Sequence, residues 1–228
     1  NRRVTVRGGG PYLDDSFVEA MRSGASIEEP YKHSGFDSSS KYSCTFRIDI
    51  NSNGNAGIYG SLQVLEAARA EVARIFGNAG FRVSFGPSNA PPSEAYSITL
   101  NPGRNGTQSI ATGTKGSGSG ALLVGELAAM AMRSAMNGRG MEGYSNVGSG
   151  VAIGRVTAHE AILHNFLDMD NSGHTPDGVT SSPFSAYSLF KVESTAYEIP
   201  TSLISQLQKR CNETGERPIG TKSRYPDM

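Results

Sequence analysis

Three of the chain's four histidines fall within sixteen residues, in the run Thr157-Ala158-His159-Glu160-Ala161-Ile162-Leu163-His164-Asn165-Phe166-Leu167-Asp168-Met169-Asp170-Asn171-Ser172-Gly173-His174. The segment Val151–Met169 reads as one long apolar helix, so the histidine spacing becomes a constraint on its geometry. At 3.6 residues per turn, side chains four positions apart lie about 40° apart around the axis, and those five apart about 140°. His159 and His164 are five apart. In a regular α-helix they could not converge on one point. A single π-bulge absorbs one residue and returns positions i and i+5 to one face. The run therefore predicts a helix locally widened between Ala161 and Leu163 if the pair acts together.

Upstream, the pattern alternates between strand and helix. Cys44–Ile50 alternates apolar and polar residues and reads as a strand. Leu62–Phe76 carries Leu65, Ala68, Val72, Ile75 and Phe76 at helical spacing, with Gly77 where a C-cap belongs. Phe81–Phe85 and Ala95–Leu100 read as further strands, separated by the break at Pro91-Pro92. This order predicts an α+β fold, a sheet packed against a helix. Residues 101–120 read as a Gly/Ser/Thr loop. Their Gly116-Ser117-Gly118-Ser119-Gly120 matches no nucleotide-binding pattern and is expected to be a surface loop, not a phosphate site. Ala121–Met136 has the length of a helix, with part of it open to a strand reading, and its methionines suit core filling. Gly138–Gly150 reads as loop. Pro200 introduces a last amphipathic helix over Ser202–Cys211.

The chain has 228 residues, enough for one substantial core, and we divide it into an arm over 1–40 and a domain over 41–228. Its 21 basic and 21 acidic residues balance, which gives no reason to expect nucleic acid or a charged membrane surface. No apolar run approaches eighteen residues, so no membrane span is expected. With 28 glycines and no tryptophan it reads as loop-rich and globular, and a monomer is expected. Cys44 and Cys211 could close a long loop, worth roughly 4 kcal/mol or more, or stand as two buried thiols. Both readings stay open, and with them the redox compartment.

The run His159-Glu160-Ala161-Ile162-Leu163-His164 is H-E-x-x-H with one residue added. This lengthened H-E-x-x-x-H resembles the zinc motif of dipeptidyl-peptidase III, a peptidase family in which the spacing works. The local order looks more like the metzincin group of zinc endopeptidases, whose motif continues to a third histidine and a turn. Gly173-His174-Thr175-Pro176-Asp177-Gly178-Val179 looks like the third-histidine segment of its matrixin-type members. The likeness is concentrated in Thr157–Ser182; over Cys44–Ala158 it is topological. His174 follows His164 by ten residues instead of six. Thr180 stands where the family's turn has methionine, if Asp177-Gly178-Val179-Thr180 is that turn.

The resemblance implies a metzincin-like zincin fold, a twisted mixed sheet on a long helix and the metal-site helix, with a C-terminal helix. It implies zinc held by His159 and His164, with a peptide or protein as substrate. Glu160 would be the general base that takes the attacking water's proton and passes it to the leaving amine. The third ligand is His174 by local context, since Gly173 precedes it and imidazole is the commoner zinc ligand, or Asp170 by family spacing. Asp168 or Asp170 could accept an imidazole N–H from outside the ligand shell. Tyr187 and Tyr197 follow the site and could assist an oxyanion, although packing is the expected role of each. The rival reading is a zinc-binding interaction module or vestigial protease without catalysis. The opening Asn1-Arg2-Arg3-Val4-Thr5-Val6-Arg7 resembles the junction after the core of bacterial RHS-type toxins. That would make the chain the released C-terminal domain of a larger secreted protein. His33, in the polar arm, is given no role.

Overall fold

A computed structural model describes residues 45–52, 56–87, 95–103, 109–113, 115–170, 173–181, 188–192 and 197–214. The expected arm over 1–40, with His33, and Cys44 and Tyr187 lie outside these. The architecture is α+β. A mixed five-stranded sheet has the order β2-β1-β3-β5-β4. Its strands are β1 (Thr45–Ser52), β2 (Arg82–Phe85), β3 (Ala95–Asn101), β4 (Ala111–Gly113) and β5 (Ser119–Leu123). β1 pairs in parallel with β2 and β3, and β3 with β5; only β4 runs antiparallel, to β5.

Strict alternation makes the sheet two-faced. Phe46, Ile48, Ile50, Tyr96, Ile98, Leu100 and Leu122 are buried in the main core. The opposite face carries Asp49, Asn51, Ser97 and Thr99. There Asn51 donates to Asp49 and Ser97 and accepts from Thr99. Residues 101–120 are therefore not simply a loop. They contain β4, the turn at Lys115–Gly118 and the start of β5, a hairpin with only three paired positions.

Helix α1 (Leu62–Asn78) joins β1 to β2. The Ser61 hydroxyl caps it, accepting from the Val64 amide. The expected C-cap at Gly77 is displaced. The helix runs on to Asn78, and Gly80 supplies the left-handed residue at φ +86°, with the Phe81 amide returning to the Phe76 carbonyl. Helix α2 covers Val124–Met136, its first three expected residues having joined β5. Of its methionines, Met130 is buried whereas Met132 and Met136 are exposed, so core filling describes only the first.

Helix α3 (Asn146–His159) begins inside the segment expected to be loop. Ser145 caps it by accepting from the Gly148 amide. Its glycines serve close packing, not chain reversal. A Cβ on Gly150 would lie 2.4 Å from the Ala67 Cβ, and one on Gly154 would lie 2.5 Å from the Ala68 carbonyl oxygen. Glycine thus lets α3 lie directly against α1. The last helix, α4 (Thr201–Thr214), packs Leu203 and Leu207 into the core. Cys211 on α4 is disulfide-bonded, which decides between the two cysteine readings. The chain's one other cysteine is Cys44. No helix among the described residues is long and apolar enough to cross a membrane.

A buried ion network ties these layers together. Arg155 on α3 is fully buried, and its guanidinium donates to Glu71 of α1 at 2.7 Å. It also donates to the Ser188 and Leu189 carbonyls at 2.7 and 3.0 Å and lies 4.3 Å from the Tyr197 ring centre. Arg74 pairs with Glu71 as well and reaches Glu198. Each charge here meets an opposite charge or a carbonyl, the condition under which ions are tolerated in a core.

Candidate metal centre

The chain leaves the α-helical path at the histidine pair. A π turn spans Glu160–Phe166, and its bonding is visible where the Leu167 amide reaches the Ile162 carbonyl, five residues back. The widening expected from the spacing is thus present, and it extends over seven residues instead of one bulge. Two residues past its end the chain reverses at Asp168, the one described non-glycine residue with positive φ, at +54°. The reversal brings the Met169 carbonyl back over the turn.

The wider turn places His159 and His164 side by side, with ring centres 5.7 Å apart. His174 completes a triangle, 5.1 Å from His159 and 5.7 Å from His164. One ring nitrogen from each lies within 4.8 Å of the others. The Nε2 atoms of His159 and His174 are 3.2 Å apart. Two nitrogens bound to one tetrahedral zinc at about 2.0–2.1 Å stand roughly 3.3 Å apart, so that pair already has the separation of joint ligands. His174 is the residue gathered here; Asp170 is exposed and outside the cluster.

The outer nitrogens fix the orientation. His159 Nδ1 lies 2.9 Å from the Val179 carbonyl oxygen, and His164 Nδ1 lies 3.0 Å from that of Met169. A carbonyl only accepts, so each Nδ1 carries the proton and each Nε2 presents a lone pair inward. For these two rings the acceptor is a main-chain carbonyl, where a carboxylate of Asp168 or Asp170 could have served. Burial holds the His159 imidazole neutral, its pKa pushed down to about 4, with the neighbouring His174 and His164 adding to the effect and the Val179 bond opposing it.

The turn beneath His159 is built from the segment singled out in the sequence. Gly178, at φ +76°, reverses the chain so that Val179 can donate to the Glu198 carbonyl while its own carbonyl faces His159. Thr180 is fully buried, and its hydroxyl lies 2.6 Å from that of Thr175. Here a threonine pair closes the turn. Tyr197 belongs to the ion network, with its hydroxyl 2.9 Å from Ser188 Oγ, and takes a packing role.

Glu160 lies beside the cluster and is buried. Desolvation pushes its carboxyl up to about 7, against the pull of His174. A carboxyl in that range can both take and return a proton near neutral pH. Its Oε2 faces the edge strand β4, 3.0 Å from where a Cβ on Gly113 would stand.

Three contributors escaped the sequence reading. Asn165 accepts from the Gly118 amide at 2.9 Å and donates to the Ala95 carbonyl at 3.1 Å, pinning the hairpin turn and β3 to the π turn. Gly116 donates to the His164 carbonyl at 2.9 Å, one of the carbonyls that the π turn releases from regular helical bonding. Tyr96 brings a phenol towards Glu160. A polar residue inside an apolar helix was the visible sign for Asn165; the other two carried none. A scan against protein-family models finds no match to this chain, and a search of curated proteins finds no significant one.

Proposed function

We propose that this chain is a zinc-dependent peptidase of metzincin-like fold, with His159, His164 and His174 as ligands and Glu160 as general base. The observation that carries the reading is the convergence of three inward-facing imidazole nitrogens beside a buried glutamate. Three nitrogen ligands suit zinc and leave a fourth position for a reactant. When bound, zinc supplies the Lewis acidity that activates water and polarises a carbonyl. Glu160 takes the water's proton and returns it to the leaving amine. The edge strand β4 favours a peptide as substrate. An extended chain can add to a sheet edge by main-chain hydrogen bonds, and this edge passes Glu160 at Gly113.

Metal analysis of purified protein, paired with turnover of a quenched-fluorescent random peptide library, tests the reading. One zinc per chain is expected. Glu160→Gln should keep the metal and lose roughly 10²–10⁴-fold in kcat. Protein that binds no zinc, and gains no activity when zinc is added, would overturn it. A wild type that binds zinc but turns over nothing, matched in every respect by Glu160→Gln, would favour a non-catalytic zinc module.

A further inference from the structure

Tyr96 stands in a row where its neighbours are aliphatic. Along the core face of β3 it precedes Ile98 and Leu100, and its register partner on β1 is Ile48. The side chain is buried, and its hydroxyl has no hydrogen-bond partner among the described residues. An unpartnered buried hydroxyl costs stability that phenylalanine, of nearly the same shape, would not. Something other than packing must account for it.

The neighbourhood supplies a reason. Gly113 and Gly120 are directly opposed across β4 and β5. A Cβ on Gly120 would stand 2.2 Å from the Tyr96 hydroxyl oxygen. A Cβ on Gly113 would stand 3.0 Å from Glu160 Oε2 and 3.8 Å from the same hydroxyl. The glycine pair therefore opens a notch in the sheet, and the phenol and the carboxylate share it. Burial and the adjacent Glu160 both raise the Tyr96 pKa, so the group remains an O–H donor.

Resting on the peptidase reading, we propose that Tyr96 is the positioning residue of Glu160: its hydroxyl, unpartnered in the structure, becomes the donor to the carboxylate across the Gly113–Gly120 notch when a reactant seats, and holds it towards that reactant. No bond to substrate or metal is involved. Tyr96 acts through Glu160, on the proton-transfer step and not on binding.

Tyr96→Phe tests this in the full chain, using the same peptide library and zinc determination. Zinc content and KM should match wild type, and the melting temperature should be equal or higher. kcat should fall about ten- to a hundredfold, the effect of one hydrogen bond to a charged group. An unchanged kcat would overturn the assignment, as would parallel losses of zinc and melting temperature, which mark a structural role. Glu160→Gln measured alongside separates the two ideas. If it abolishes turnover while Tyr96→Phe leaves kcat unchanged, the peptidase stands and the Tyr96 role falls. If wild type turns over nothing, both fall.

Discussion

Helix α3 carries two buried polar centres one turn apart, at Arg155 and at His159. They obey opposite rules. Around Arg155 unlike groups meet: guanidinium against carboxylate, N–H against carbonyl, cation against ring face. Around His159 like groups meet, three imidazoles with nitrogens inside 4.8 Å. The first arrangement is complete in itself and ties α1 and α3 to Ser188, Leu189, Tyr197 and Glu198. The second is held from outside, by the Val179 and Met169 carbonyls, with its inner faces turned to one another. A proton can be shared by two such nitrogens but not by three, and the three lie close enough together to hold one metal ion. Satisfaction marks scaffolding, and the crowding of like groups is what the proposed zinc site rests on.

That contrast can be broken by mutation. The largest effect is expected at Arg155→Met, which takes one of two guanidinium partners from Glu71 and removes the donor to the Ser188 and Leu189 carbonyls. The loss should be about 3–5 kcal/mol by denaturant unfolding. If stability hardly moved, the network would not be the scaffold claimed here. Gly154→Ala tests the packing that brings the two helices together. Its Cβ would stand 2.5 Å from the Ala68 carbonyl oxygen and 2.9 Å from the Glu71 Cβ, so about 1–3 kcal/mol should be lost. Smallest is Gly116→Ala, at the hairpin turn that touches the histidine site. With φ +63° and Asp168 Oδ1 3.0 Å from the new Cβ, it should cost about 1–2 kcal/mol. The sharper readout there is zinc affinity. A loss of metal binding larger than the loss of stability would show that the hairpin supports His164, whereas equal losses would make it ordinary scaffold.

The parts of the fold with long periodic sequence could be read directly. β1, α1, β3 and α4 fall within a few residues of expectation because alternation or helical spacing persists long enough to be counted. β4 was hidden because it has three residues and owes its existence to pairing with β5. The start of α3 was hidden because glycine reads as a breaker, whereas Gly150 and Gly154 are there to admit α1. At the site, side-chain identity was legible and main-chain support was not. The histidine cluster and the helix widening followed from spacing, and Glu160 from the resemblance to the zinc-peptidase motif. The carbonyls that orient two of the rings belong to Val179 and Met169, and any residue type could supply them. Tyr96 lay in view as a strand residue. What its hydroxyl faces depends on β4 and β5, and no local pattern encodes that.

The π turn also gives the chain one residue of slack at its most demanding point. Deleting a residue between Ala161 and Leu163 would let the wide turn close to a regular one, and the two imidazoles would still share a face at four positions' separation. Adding a residue would carry them apart. Tolerance of altered length, ordinarily a property of surface loops, is in this protein built into a buried helix, and in one direction only.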